Sequence, residues 1–306
     1  MPIWHQCFIK ERNLKQQTTR PNAISNIMAI GNPSSTTAVL NYYVPPADGA
    51  RAYQHISTDT TSERPRNFTY EDKEVIVENL RGKESSVSLD TTGFQYLRRP
   101  AKHESFRNDE EISNEYYPES IELIKELTGA SKVVIFDHTV RRRRPEDKED
   151  TPQKRQPVAQ VHVDQTTKSS VDRVHLHLPP SEAPQLLQKR FQIINLWRPI
   201  SHVASDWPLA LCDYRSVDPK ADMVPMALVY PDREGETFGV KYNPSHQWKY
   251  VRDMAPDECV LIKCFDSLQD GSVAVFTPHT AFQDPDTPPG APLRESIELR
   301  ALVFYD

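Results

Sequence analysis

The second half of the chain consists of short segments rich in aliphatic, aromatic and β-branched residues that follow one another at short intervals. Eight of these segments are predicted strands, over residues 158–163, 191–197, 208–212, 223–230, 237–242, 258–265, 272–277 and 293–305. One predicted helix, at about 181–190, interrupts them, so the regular alternation of strand and helix that builds a parallel sheet is absent. We therefore expect a mainly β fold with flanking helices. Eight strands fit a jelly-roll core, which is a cupin-like double-stranded β-helix of two four-stranded sheets.

Two strands and one helical region are predicted in the first half of the chain. β-Forming residues dominate 37–44 and 132–140. Apolar residues recur with helical spacing from Glu110 to Leu127. Pro118 marks a boundary between two helical pieces, and Gly129 follows as a helix end.

Composition divides the chain into an arm and one domain. Residues 1–36 are polar and irregular, and we interpret them as an N-terminal arm, with a mitochondrial presequence as the alternative. Residues 37–306 are predicted to form a single jelly-roll domain. Within it, the segment 141–157 contains charged residues and proline but no other apolar residue. Such a segment is typical of a mobile, solvated loop. A substrate lid and a nucleic-acid contact are the alternatives.

Charge and cysteine content argue against several classes of protein. The 37 basic and 43 acidic residues give a net charge of −6, which provides no overall attraction to nucleic acid or to an anionic membrane. The four cysteines have no CxxC spacing, so they do not indicate a disulfide framework or a structural zinc site. No apolar run approaches the roughly 18–20 residues that span a bilayer. We expect a cytoplasmic protein that binds neither nucleic acid nor membrane. The sequence gives no indication of its oligomeric state.

Three residues form a candidate metal site. His162 and Asp164 lie at the end of a predicted strand, where residues i and i+2 point to the same face. His279 comes much later, but strands distant in sequence are neighbours in a jelly roll. Two histidines and one carboxylate are the ligand set of the facial triad that holds Fe(II) and leaves the remaining positions open. Zinc or manganese would also accept these ligands.

The last predicted strand carries a candidate site for a carboxylate. Alternation places Arg294, Ser296, Glu298 and Arg300 on one face, which we expect to line a cavity, with exposure of this face to solvent as the alternative. The apolar face, made of Ile297, Leu299, Ala301 and Val303, is then expected to pack against outer helices. Arg294 and Ser296 could bind the distal carboxylate of 2-oxoglutarate, because arginine gives a bidentate pair and the hydroxyl adds a hydrogen bond. Arg300 could bind a second carboxylate or pair with Glu298.

The other histidines are interpreted without a catalytic role. His175 and His177 form a second i, i+2 pair, but they are predicted to be ordinary strand or loop residues. His138 is predicted to be a structural histidine at a strand end, and His246 to pack among aromatic side chains.

An ordered set of motifs resembles a known family. The motifs are DHTVR at 137–141, VHVDQT at 161–166, NLWRPI at 195–200, PLA at 208–210 with Asp213, KCFDS at 263–267, PHTAF at 278–282 and RESIE at 294–298. With these motifs the chain resembles the non-haem iron, 2-oxoglutarate-dependent oxygenases of fungi and bacteria that include gibberellin desaturase-like and cephem-methoxylation-related proteins. The resemblance extends from about residue 37 to the end.

The resemblance implies a site and an activity. The implied iron ligands are His162, Asp164 and His279; the cosubstrate residues are Arg294 and Ser296, with Arg300 in reserve; and the pocket residues are Asn195, Trp197 and Arg198. Core packing is the alternative role for Trp197. The implied enzyme is a dioxygenase of secondary metabolism that uses Fe(II), 2-oxoglutarate and O2. It would hydroxylate, desaturate or cyclise a small natural-product or amino-acid-like substrate at an unactivated C–H bond.

Arg198 and Arg300 suggest a carboxylate on that substrate. Two other functions stay open at this point: a redox-inert metal enzyme of the same fold, such as a hydrolase or isomerase, and a binding protein without catalysis. The residues do not identify the substrate, and they do not distinguish hydroxylation, desaturation and cyclisation.

Overall fold

A computed structural model describes residues 33–56, 65–147 and 154–306. Residues 1–32 of the expected arm and residues 148–153 of the charged segment lie outside these ranges, so both predictions stay predictions. The last strand before the charged segment continues to Arg142 and therefore includes its first two residues.

Strands dominate the described part of the chain, and they form two sheets. They are β1 (Ser35–Val44), β2 (Ala52–His55), β3 (Thr69–Asn79), β4 (Phe94–Arg98), β5 (Lys132–Arg142), β6 (His162–Val163), β7 (Phe191–Pro199), β8 (Leu209–Cys212), β9 (Met223–Val229), β10 (Glu234–Val240), β11 (Trp248–Tyr250), β12 (Glu258–Asp266), β13 (His279–Ala281) and β14 (Glu295–Phe304). The larger sheet has the order β1-β3-β11-β8-β13-β6-β10-β9-β2, and the smaller has the order β4-β12-β7-β14-β5. The predicted mainly β class with a jelly-roll core is confirmed, but in the described ranges the two sheets have nine and five strands, which corrects the expected four strands in each.

The helices are few and short. They are α1 (Asp109–Glu111), a π-helical turn (Ile112–Tyr116), α2 (Tyr117–Thr128), α3 (Thr167–His177) and α4 (Ala183–Leu186), with 3-10 turns at Glu84–Ser86 and Tyr214–Ser216. Pro118 lies in the first turn of α2, and Gly129 ends it with φ of 71°, so the predicted boundaries are confirmed. No helix in the described ranges is long and apolar enough to cross a membrane.

The outer face of the five-stranded sheet is covered by the helices that precede β5. Ile297 and Leu299 of β14 belong to the same buried cluster as Tyr116 and Ile124 of the helical region. Each such side chain that leaves water stabilises the fold by about 1.5–3 kcal/mol. Because successive residues of a strand point to opposite faces, this packing turns Ser296 and Glu298 towards the other sheet. The predicted orientation of the apolar face is confirmed.

Several segments differ from the secondary structure that the sequence predicts. Residues 272–277 are not a strand, and the strand in that region is β13. The helix expected at 181–190 is limited to the four residues of α4. Strands β2, β3, β4 and β11 were not predicted, because charged residues interrupt the alternation in β3 and the other three are short.

His175 and His177 lie on a helix, which corrects their assignment to a strand or loop. The i, i+2 spacing of these residues resembles strand alternation only over this short stretch. The start of α3 is fixed by a capping box, in which the Thr166 hydroxyl accepts from the Ser169 backbone N–H at 3.1 Å and the Ser169 hydroxyl accepts from the Thr166 N–H at 2.9 Å. This Thr-x-x-Ser signal was present in the sequence.

Candidate metal centre

Two paired strands bring the three candidate ligands together. His162 of β6 lies directly opposite His279 of β13 in an antiparallel pair, and their ring centroids are 4.3 Å apart. Asp164 follows β6 immediately. One ligand atom from each of the three residues lies within 4.8 Å of the other two. In the described part of the chain, no other group of histidine, cysteine and acidic residues meets this condition.

The direction of His162 follows from its neighbours in sequence. Val161 and Val163 are both fully buried, and they belong to an apolar cluster on the far side of the nine-stranded sheet. Since the side-chain period of a strand is two residues, His162 must point to the opposite face, between the two sheets. Gly239, which is paired with His162, has no side chain because a Cβ there would lie 2.5 Å from the Tyr43 ring.

Both imidazoles present the same nitrogen to the site. His162 Nδ1 donates to the Gln160 carbonyl at 2.8 Å, and His279 Nδ1 donates to the Thr277 carbonyl at 3.0 Å. These hydrogen bonds place the proton on Nδ1 and leave the Nε2 lone pair free to bind a metal. The two Nε2 atoms lie 3.2 and 3.7 Å from Asp164 Oδ1. Two lone pairs and an anionic oxygen around one point require a cation, so these residues fit Fe(II).

The second oxygen of Asp164 is held by the protein. Asn195 Nδ2 donates to Asp164 Oδ2 at 2.8 Å, and Arg300 Nε lies 3.4 Å from the same oxygen. Burial raises the pKa of Asp164, but the adjacent His162 imidazole and the charge of Arg300 outweigh it and hold this pKa well below its usual range. The carboxylate is therefore ionised at neutral pH.

The charge of Arg300 is already balanced by the protein. Its guanidinium contacts Glu298 at 2.6 Å and Asp137 at 2.9 Å, in addition to Asp164. Its Nη1 also donates to the Thr139 hydroxyl at 3.0 Å. Arg300 thus lies at the site but pairs with three carboxylates. Its guanidinium is therefore not a free cation for a cosubstrate.

Arg294 and Ser296 have unpaired polar atoms in a buried position. Arg294 Nη1 donates to the Trp207 carbonyl at 2.6 Å, and its guanidinium lies 5.7 Å from the centre of the Trp197 ring. Arg294 Nε and Ser296 Oγ have no hydrogen-bond partner among the described residues. Burial and the neighbouring charge of Arg141 lower the pKa of Arg294. A buried cation beside an unpaired hydroxyl fits the carboxylate of 2-oxoglutarate.

Trp207 adopts a backbone conformation that bulky side chains seldom adopt. Its φ is 46°, in the left-handed region, and strain of this kind is concentrated at functional sites. Asp206 accepts from the backbone N–H of Arg294 at 3.0 Å and from Arg143 at 2.8 Å. This strained turn therefore holds both the backbone and the guanidinium of Arg294.

Arg198 lies on the opposite face of β7 from Asn195 and Trp197. Arg198 Nε donates to the Tyr116 hydroxyl at 2.9 Å, and its Nη1 donates to the Pro256 carbonyl at 3.1 Å. The structure does not bring Arg198 to the three ligands, because Arg198 directly follows Trp197 and consecutive strand residues point to opposite faces. Trp197 belongs to the apolar cluster between the sheets.

Replacement of Arg198 by leucine is expected to destabilise the fold and leave the KM values for substrates unchanged. The change removes the donor to the Tyr116 hydroxyl and to the Pro256 carbonyl, at about 1–3 kcal/mol for each group. Denaturant unfolding measures the loss, and steady-state kinetics at a temperature where the variant is folded measures KM. Exposed Arg99, which pairs with Glu126, provides the control Arg99→Leu. A stable variant with a raised KM would contradict the structural role of Arg198 on the outer face of the sheet.

Comparison with known proteins connects this geometry to a family. A model of the family described as Oxidoreductase/YMDC permease-like domain matches residues 40–304. The hydroxylase/desaturase efuI of Hormonema carpetanum is 34% identical over 300 residues, which cover 91% of this chain and 97% of that protein. The Fe(II)/2-oxoglutarate-dependent dioxygenase nvfI of Aspergillus novofumigatus is 32% identical over 245 residues, which cover 78% and 85%.

A solved structure agrees with these sequence relatives. The structure of the iron and alpha-ketoglutarate-dependent endoperoxidase NvfI has a TM-score of 0.76 and 26% identity to this chain, and it covers 89% of this chain and 98% of its own. The fold, the three donor residues and the relatives thus indicate the same cofactor, Fe(II), and the same cosubstrates, 2-oxoglutarate and O2. The chain belongs to the family of non-haem iron(II)- and 2-oxoglutarate-dependent oxygenases.

Proposed function

We propose that this oxygenase oxidises an unactivated C–H bond of a small natural product, with Fe(II) bound by His162, Asp164 and His279. The observation that carries this proposal is the convergence of two Nε2 atoms on Asp164 Oδ1. The hydroxylase/desaturase and endoperoxidase names of the relatives support oxidation of a carbon framework. We also propose that Arg294 and Ser296 bind 2-oxoglutarate, which the unpaired Arg294 Nε and Ser296 Oγ support.

The residues of the chain would bind, orient and shield the reactants. When bound, the iron with its cosubstrate supplies the oxidising power that no amino-acid side chain has. Arg294 would neutralise the distal carboxylate of 2-oxoglutarate and set its direction, and Ser296 would donate a hydrogen bond to it. Trp197 packs over the guanidinium of Arg294 and limits the access of water to this end of the cavity. The resulting position of the substrate decides which C–H bond is oxidised.

Anaerobic titration of the protein with Fe(II) and 2-oxoglutarate tests the proposed site. We expect the weak visible charge-transfer band of the chelate in the wild type and its loss in His279→Ala. His175→Ala, which changes an exposed histidine on α3, is the matched control and should keep the band. Absence of the band in a metal-loaded wild-type protein would contradict the proposal and favour a redox-inert metal enzyme.

We propose that the substrate carries a carboxylate, and that Arg173 contacts it. Arg173 of α3 is half-buried and has no carboxylate partner among the described residues, and its guanidinium lies 5.4 Å from the centre of the Phe136 ring. Asp137, which follows Phe136 in the sequence, pairs with Arg300, and Arg300 in turn contacts Asp164. Burial and the charge of Arg233 lower the pKa of Arg173. An acidic group would relieve this unbalanced charge.

Aromatic carboxylates provide a direct test of this role for Arg173. We expect phthalate to perturb the visible band of the anaerobic iron and 2-oxoglutarate complex at a lower concentration than neutral phthalamide does. Arg173→Leu should raise the phthalate concentration required by about 10- to 150-fold, because a charged hydrogen bond contributes about 1.5–3 kcal/mol. Arg107→Leu, which removes an exposed arginine at a different surface, is the control. An unchanged response in Arg173→Leu would contradict the role.

The remaining proposals concern location and partners. We propose that the protein acts in the cytoplasm and binds neither nucleic acid nor membrane. The net charge of −6 supports the expected lack of binding to nucleic acid and membrane, since it provides no general attraction to polyanions.

A further inference from the structure

The side chain of Asn195 has a single hydrogen bond, and that bond ends on a candidate metal ligand. Asn195 is fully buried at the middle of β7, and its Nδ2 donates to Asp164 Oδ2 at 2.8 Å. Its Oδ1 has no partner among the described residues. A buried amide with one unpaired atom costs about 1–3 kcal/mol relative to a fully paired one. The amide is thus only partly paired at a fully buried position.

The strand around Asn195 is otherwise apolar on this side of the sheet. Every residue of β7 is buried, and Asn195 is paired with Ile262 on one side and with Arg300 on the other. A side chain on a central strand has little freedom to move, since both neighbouring strands fix its backbone. This position therefore gives the Nδ2 donor a fixed direction towards Asp164.

The two oxygens of Asp164 have different partners. Oδ1 faces the Nε2 atoms of His162 and His279, whereas Oδ2 is directed to Asn195 and Arg300. A carboxylate can bind a metal through one oxygen or through two. Because two donors already hold Oδ2, binding of the metal through Oδ1 alone is favoured. One oxygen in place of two leaves one more coordination position for cosubstrate and O2.

We propose that Asn195 is a positioning residue that, together with Arg300, holds Asp164 Oδ2 and restricts this carboxylate to one metal-facing oxygen, Oδ1. The inference rests on the proposed metal site and extends it to a residue that does not touch the metal. Arg300 supplies charge, and three carboxylates fix its place. Asn195 supplies a neutral donor, which orients the carboxylate without withdrawing a full charge from it.

The strand offers a matched control for this inference. Gln192 also lies on β7, is buried, and donates from Nε2 to a carboxylate, that of Asp266, at 2.6 Å. Asp266 pairs with Arg190 and Lys263 and does not belong to the metal site. Asn195→Leu and Gln192→Leu therefore both remove an amide-to-carboxylate hydrogen bond from the same strand, one beside the metal site and the other away from it. Gln192→Leu also removes the acceptor of the Tyr305 hydroxyl.

Cobalt(II) provides a readout that does not depend on turnover. We expect Asn195→Leu to bind Co(II) about 10–100-fold more weakly than the wild type and to show altered d–d bands, as changes behind a metal ligand typically do. Its unfolding midpoint without metal should equal or exceed that of the wild type. Gln192→Leu should lower the unfolding midpoint and keep the affinity and spectrum for Co(II). Asn195→Ala replaces the leucine variant if the latter does not fold.

Each outcome of this experiment supports or overturns the inference. Wild-type affinity and spectrum in Asn195→Leu would overturn the positioning role while the metal site remains. Asn195→Leu could instead lose as much stability as Gln192→Leu and bind Co(II) more weakly only because it is less stable. That result would make Asn195 a structural residue. Failure of the wild type itself to bind Co(II) or Fe(II) would overturn the proposed metal site and this inference together.

Discussion

Asp164→Asn is expected to abolish turnover and to weaken Fe(II) binding by more than about 100-fold. The substitution keeps the shape of the side chain but removes the negative charge and presents a neutral amide to the metal. Changes behind a ligand already cost about 10–100-fold in metal affinity, so the loss of a ligand should exceed that range. Competition with a metal-sensitive dye under anaerobic conditions measures the affinity, and succinate formation measures turnover.

A second carboxylate on the neighbouring helix controls for the change of charge. Asp172 is exposed on α3 and pairs with Lys168 at 2.6 Å, so Asp172→Asn should retain wild-type affinity and turnover. Fe(II) binding by Asp164→Asn at wild-type affinity would show that the carboxylate is not a ligand. In that case the two histidines would have to hold the metal with a different third residue.

Arg294→Leu is expected to raise the KM for 2-oxoglutarate by about thirtyfold to a few thousandfold, with a much smaller effect on kcat at saturation. Loss of one partner of a buried charge pair costs about 2–5 kcal/mol, and each 1.4 kcal/mol is about a factor of ten. The same variant should be as stable as the wild type without 2-oxoglutarate, or more stable, because it removes a buried cation that has no carboxylate partner. Kinetics at varied 2-oxoglutarate and thermal unfolding measure the two effects.

Two further variants define the specificity of this result. Ser296→Ala removes one hydrogen bond to the carboxylate and should raise the same KM by about 10- to 150-fold, because such a bond contributes about 1.5–3 kcal/mol. Arg215→Leu removes an exposed arginine that pairs with Asp213, and it should leave the KM for 2-oxoglutarate unchanged. A normal KM in Arg294→Leu, or a large loss of stability, would assign Arg294 to the fold and would require another cation for the cosubstrate.

The sequence indicated those features that depend on strand alternation. His162 and Asp164 share a face because they are two residues apart, and Arg294 and Ser296 share a face for the same reason. The same rule places Asn195 and Trp197 on one face and Arg198 on the other. The signal that separates Arg198 from the site was therefore present, although the resemblance grouped the three residues together.

Other features of the site depend on strand pairing, which the sequence does not reveal. Arg300 is neutralised partly by Asp137, and this contact exists because β5 pairs with β14 in a register that places the two residues opposite each other. The imidazoles of His162 and His279 are oriented by backbone carbonyls, which every residue possesses and no motif identifies. The sequence does not indicate that Asn195 donates to Asp164, because Asp164 follows a different strand, β6, which belongs to the other sheet.

The pairing of β6 with β13 has a consequence for folding. The two histidines are far apart in sequence, and they meet only when a β-ladder between distant segments has formed. Contacts of this kind form slowly, because a long loop must close before they contribute energy. A partly folded chain would therefore lack a complete metal site, and binding of Fe(II) would select the finished fold and stabilise it by mass action. The rate at which metal affinity returns during refolding would report the closure of the nine-stranded sheet.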